Sequence, residues 1–91
     1  MAERQRPTAL ERPTALERAV ARERAAIETH ERAAVAEDAT ASVIEEQAAH
    51  ESDPERRRAL LERAKADRDR ADRARARART VKTRLEEEGL A

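Results

Sequence analysis

The chain has no cysteine and no aromatic residue, and only one glycine and three prolines. Without cysteine there is neither a disulfide framework nor a thiolate metal site. Without Phe, Tyr or Trp the chain lacks the aromatic rings on which nucleic-acid bases most often stack, and little is available to wall off a dry catalytic pocket. No apolar run approaches the roughly 18 residues of a membrane span, and no signal-peptide apolar stretch follows the first residues. An excess of either charge is missing too: 20 Lys and Arg balance 20 Asp and Glu, for a formal net charge of +0. Large aliphatics are scarce, with twelve Leu, Ile and Val in 91 residues, so most of the 38% hydrophobic content is alanine. That poverty signals disorder only when joined to a high net charge. A neutral chain dominated by Ala, Glu, Arg and Leu points instead to long helices. Arginine outnumbers lysine eighteen to two and alanine is abundant; the bias is that of a GC-rich genome and suggests a bacterium, and with no span or signal stretch the default location expected is cytoplasmic.

The most ordered pattern runs from Pro54 to Glu88. Ala64, Ala71, Ala78 and Leu85 fall at a positions of a heptad, and Leu60, Ala74 and Val81 at d, with one gap at Asp67. Arg56, Arg63, Arg70, Arg77 and Arg84 form an unbroken column at g, with Arg68, Arg75 and Lys82 at e. This is the pattern of a helix with an apolar seam and basic rails. Asp53 suits an N-cap and Pro54 the first helical position, where its missing N–H is no loss. Gly89 suits the left-handed C′ position, with Leu90 reaching back to Leu85.

Residues 6–17 read RPTALE-RPTALE, a tandem repeat with a capping box in each copy, Thr8 with Glu11 and Thr14 with Glu17. Pro13 interrupts any helix begun at Thr8, so residues 1–13 form a frayed lead-in and the long helix begins at Thr14. A repeat this short reads most simply as a duplication. From Thr14 to His50 there is no Gly or Pro, and strong helix formers dominate. Leu16, Val20, Ile27, Ala34, Ala41, Ile44 and Ala48 share one a/d frame, with Glu23, His30 and Glu37 occupying d positions. Val35 and Val43 lie off that seam.

One domain over 14–91 is expected: a helix over 14–50, a turn over 51–53 and a helix over 54–88. Two helices of similar length joined by a short turn predict an all-α, antiparallel two-helix coiled-coil hairpin with an alanine-rich seam. Folding about Asp53 sets Ile27 against Val81, Ala34 against Ala74, Ile44 against Ala64 and Ala48 against Leu60. It also brings Glu31 and Asp38 near Arg75 and Arg68, sets Arg24 against Lys82, and carries the acidic run 86–88 towards Arg12 and Arg18. Each buried Leu or Val contributes roughly 1.5–3 kcal/mol, so twelve such residues make a thin core for two long helices. Val35, Ala36, Ala39 and Val43 form a second stripe on the back of helix one. The expected remedy is a homodimer, two hairpins making a four-helix bundle, with Val35, Ala39, Val43 and Leu61 at the interface.

Signatures of chemistry are missing. Glycine-rich phosphate loops, nucleophile elbows and Cys/His arrangements do not occur. His30 and His50 are twenty residues apart on one helix, about 30 Å, and Glu46 with His50 has no second pair to complete a metal site. Neither an enzyme nor a cofactor, metal or small-molecule substrate is expected. The sharpest feature is the basic flank of helix two. Segment 56–84 holds thirteen basic and four acidic residues, while 33–55 holds seven acids and no Lys or Arg. Arg56, Arg63, Arg70, Arg77, Arg84 and Arg73 are therefore the candidate partner-binding residues. The function expected is that of a non-enzymatic interaction or assembly module, an adaptor docking an acidic protein. The alternative is a small nucleic-acid-binding regulator using the same stripe, since arginines can neutralise phosphates. Against it stand the neutral total and the interleaved Asp67, Asp69 and Asp72. Small secreted hairpins of this size carry Trp-x-Gly at the turn, where this chain reads Ser-Asp-Pro. Its resemblance is to dimeric helical-hairpin regulators, in architecture alone, and carries no function.

Overall fold

A computed structural model describes residues 12–90. The first RPTALE copy, its Thr8–Glu11 capping box and most of the lead-in lie outside the described residues. Helix α1 spans Ala15–His50 and helix α2 spans Pro54–Glu87, and the described residues contain no strand. Local chemistry accounts for each end. The Thr14 hydroxyl accepts from the Glu17 amide at 3.0 Å and donates to the Glu17 carboxylate at 3.2 Å, satisfying one of the amides that a helix start leaves without a partner. At the other end of the chain Gly89 takes a φ of 71°. Its amide bonds Glu86 O at 3.0 Å and the Leu90 amide bonds Leu85 O at 2.8 Å, the paired closure of a Schellman motif.

The turn is tied from both sides. Asp53 caps α2 by accepting from the Glu55 amide at 3.1 Å, and Pro54 opens the helix. The Glu51 side chain accepts from the Asp53 amide at 3.1 Å. Arg57 then donates from Nε and Nη2 to the Glu51 carbonyl at 3.0 and 2.8 Å, occupying an acceptor that the end of α1 leaves open. One arginine thus ties the first turn of α2 to the last residue before the bend.

The helices pack antiparallel along a narrow seam. Ala34, Ala71 and Ala74 form one buried cluster, and Ala41, Ile44 and Ala64 another, with Leu60 against it. Ala48, Ala78 and Leu85 are buried as well. Facing positions have numbers adding to about 108. That register sets Ile44 against Ala64 and Leu60 against Ala48, a large side chain facing a small one near the turn, while Ile27 meets Val81 and Leu85 meets Glu23 towards the open end. Alternation of this kind lets two helices approach closely without a void. Leu16 belongs to the same heptad frame yet is 58% exposed, because α2 ends at Glu87 before it can cover that level.

The gap at Asp67 is filled by the aspartate itself. Asp67 sits on the seam at 6% exposure, level with the fully buried Ala41. A carboxylate taken from water must be compensated, and Arg70, one turn on, bonds it while also reaching Glu37 across the seam at 3.3 Å. Replacing a buried ion pair with a well-packed aliphatic is often stabilising, whereas removing only one partner leaves an uncompensated charge. Asp67→Leu is accordingly expected to raise the thermal midpoint, and Arg70→Gln to lower stability by about 1–2 kcal/mol, the partial exposure of Arg70 reducing the full penalty. Both are read by thermal melts followed at 222 nm; an Asp67→Leu variant melting below the parent would show that the carboxylate supports the fold.

Candidate functional site

The two flanks of the seam are electrostatically different. In an antiparallel pair the e positions of one helix face the e positions of the other, and g faces g. On the e flank every cation of α2 has an acid opposite. Arg68 binds both Glu45 carboxylate oxygens, from Nε at 3.0 Å and Nη2 at 2.6 Å, and also reaches Asp38 from Nη1 at 3.1 Å. Its Nη2 further contacts the Ser42 hydroxyl at 3.3 Å. Arg75 donates to the other Asp38 oxygen and to Asp72, both at 2.7 Å. Lys82 pairs with Glu31 at 3.7 Å. The expected repulsion between Arg24 and Lys82 is relieved, since Arg24 turns to the Leu90 carbonyl at 3.2 Å. Bidentate arginine–carboxylate pairing is among the stronger polar contacts a half-exposed site can make.

The g flank has no such ladder. Opposite its arginines stand Ala19, Ala26, Ala33, Thr40 and Gln47. Two of the column turn inward instead, to acids at d positions of α1: Arg84 bonds Glu23 at 2.5 Å and Arg70 bonds Glu37. Arg56 stays near its own N-cap, 3.4 Å from Asp53. The same offset places His30 beside Arg77 and Ile44 beside Arg63, neither of which offers a negative charge. Among the described residues Arg63, Arg73 and Arg77 make no ion pair. Arg73 and Arg77 are one turn apart, about 6 Å along the axis, and Arg63 lies about 15 Å from Arg73. The six partner-binding candidates therefore divide into three engaged arginines and three free ones.

The inward turn of Arg70 and Arg84 had a signal in the sequence. Glu23, His30 and Glu37 recur every seven residues at d, in step with Arg84, Arg77 and Arg70 at g. Matching g only with g overlooks that offset. Arg18 also departs from expectation: it donates to the Pro13 carbonyl at 2.7 Å, and among the described residues neither it nor Arg12 pairs with Glu86, Glu87 or Glu88. The four candidate interface residues do not form one patch. Val35, Ala39 and Val43 share the outer face of α1, with Val35 69% and Val43 58% exposed. Leu61, 48% exposed, stands on α2 beside Arg58 and Lys65, near the turn and about 18 Å along the axis from Val35.

Among the described residues no group of three His, Asp or Glu is placed to hold a metal, and no helix is long and apolar enough to cross a membrane. No known protein family, curated protein or solved structure matches the chain.

The e-flank ladder leaves a titration signature. The Arg75 hydrogen bond holds the Asp38 carboxyl below its ordinary value of 3.8, and the Arg68 hydrogen bond holds Glu45 below 4.5. Depressed folded-state values mean that these contacts stabilise the hairpin fully above the unfolded carboxylate range and lose that contribution as pH falls through the folded values. Thermal midpoints should thus hold steady from neutral pH down to the ordinary carboxylate range and drop as pH falls below it. Asp38→Asn should lower the neutral midpoint and shrink the acid drop; an unchanged acid limb in that variant would mean that Asp38 does not couple the helices.

Proposed function

We propose that the chain is a non-catalytic helical-hairpin interaction module, self-associating into a four-helix assembly, that docks an acidic protein segment along the g flank of α2. One observation carries this reading: among the described residues Arg63, Arg73 and Arg77 have no carboxylate partner, although the chain has as many acids as bases. The neighbouring strip of α1, Ala26, Ala33 and Thr40, is neutral and small-sided, leaving a shallow lane beside the free arginines. An amphipathic acidic helix could lay small residues on that strip and carboxylates on the guanidinium groups, with the fork geometry that arginine favours. The e flank supplies the contrast, because its cations are occupied within the hairpin and offer a partner less.

Arg63→Gln, Arg73→Gln and Arg77→Gln together delete the unpaired cations of the g flank without touching the contacts that hold the helices, whereas changing Arg70 or Arg84 would disturb the fold as well. The triple variant should keep its helical spectrum and melting temperature and lose affinity for an acidic amphipathic peptide by roughly 3- to 150-fold, from three exposed pairs worth about 0.2–1 kcal/mol each. Titration calorimetry against glutamate-rich and charge-neutral peptides measures it. Duplex DNA is the second ligand. Binding to DNA alone, with a logarithmic salt slope that flattens by roughly 3 in the triple variant, would replace the acidic-protein reading with the nucleic-acid one. Equal binding of parent and variant to every ligand would show the column to be an ordinary solvated face.

A further inference from the structure

The outer face of α1 carries a pattern that reads the same in both directions. Glu28, Arg32, Val35, Ala39, Val43, Glu46 and His50 succeed one another at steps of four, three, four, four, three and four. All lie on the side of α1 turned away from α2, and Val35 and Val43 are the two most exposed large aliphatics after the seam is formed, apart from Leu16, which equals Val43. A two-fold axis through Ala39 maps Val35 onto Val43 and Ala36 onto Ser42. It also maps Arg32 onto Glu46 and Glu28 onto His50. Between residues 28 and 50 this register brings no two like charges opposite one another.

We infer that the occupant of this face is a second copy of the chain, its α1 lying antiparallel to the first with Ala39 on the two-fold axis. This rests on the self-association in the proposed function and specifies its surface, direction and register. Charge complementarity selects the arrangement. A parallel pair would set Arg32 on Arg32 and Glu46 on Glu46. A shift of one heptad would set Val35 against Ala36 or His50 and leave Arg32 or Glu46 facing alanine. Among the described residues of one hairpin Arg32 pairs only with Glu28, 3.3 Å away and largely exposed, a weak contact that is readily exchanged for the partner's Glu46. Ala36 and Ala39 bring the backbones close enough for Val35 to pack on the partner's Val43. A closed C2 interface of this kind uses the same patch on both copies and does not propagate into fibres. Because the stripe is opposite the seam, the helices lie in the order α2, α1, α1 and α2, an open layer that leaves both arginine flanks uncovered.

The chain has no cysteine, so single introduced thiols can map the contact. Ala39→Cys, on the axis, should oxidise rapidly to a covalent dimer, since disulfides need Cα atoms roughly 4.4–6.8 Å apart. Ala76→Cys, on the exposed face of α2, is the control and should dimerise only slowly. An equal mixture of Val35→Cys and Val43→Cys should give the mixed disulfide in preference to either homodimer. Sedimentation equilibrium should show Arg32→Glu or Glu46→Arg alone weakening the dimer about tenfold, two symmetric pairs being lost in each case, and the double variant regaining parental affinity. Circular dichroism confirms that each variant is helical. A monomer at tens of micromolar, equal oxidation at 39 and 76, preferred Val35→Cys homodimers, or a double variant no better than the singles would overturn the assignment. A monomer would leave the arginine flank and its acidic ligand standing, whereas failure of peptide binding would leave the dimer standing.

Discussion

The closeness of the two helices is the constraint from which the remaining features follow. With alanine at most buried positions, the seam offers little apolar area, and its benefit is proximity more than burial. Proximity makes short charged side chains effective. Asp38 can accept from Arg68 and Arg75 at once, and the Glu45 carboxylate can take Arg68 in both prongs. With bulkier seam residues the same carboxylates would stand farther from the arginines, and solvent would screen more of the attraction. The hairpin is held by a thin seam and a charged clamp acting together.

The seam's departures from an apolar heptad make sense within that scheme. Glu23, Glu37 and Asp67 would each weaken a hydrophobic core, but two arginines from the g column meet them, and Glu37 and Asp67 share Arg70. Buried or half-buried polar groups of this sort fix which residues face one another, because a slip of the helices would strand charge in the seam. An alanine seam by itself would discriminate poorly among registers, one alanine layer resembling the next. The acids thus contribute specificity where alanine contributes approach.

The same pairings partition the surface. The e flank consumes its charge within the hairpin. On the g flank Arg63, Arg73 and Arg77 stay uncommitted because the d positions they could reach hold Ile44 and His30 or lie too far. The outer face of α1 is a third surface, with its own aliphatic pair and balanced charges. A neutral protein can in this way present one cationic strip and one aliphatic strip of balanced charge without a net field that would draw it to every polyanion.

Much of the fold was legible along the chain. Helix caps depend on a few adjacent residues, and Thr14, Asp53-Pro54 and Gly89-Leu90 carry their chemistry locally. Heptad spacing marked Ala34, Ala41, Ile44, Ala64, Ala71 and Ala78 as buried, because a helix's period is built into its covalent geometry. The short turn set the antiparallel direction and the approximate register. What spacing could not decide was which of several reachable partners each long side chain takes. Arginine spans about as far as the gap between neighbouring heptad positions, so Arg70 could have paired with Asp67 alone and Arg84 with Glu88. The three-dimensional seam brought Glu37 and Glu23 nearer and divided the column into engaged and free members. Likewise the sequence set Val35 and Val43 on the back of helix one and Leu61 on helix two, but only the packing of α2 against α1 decided that Leu61 stands near the turn, apart from that stripe, instead of joining it in one patch.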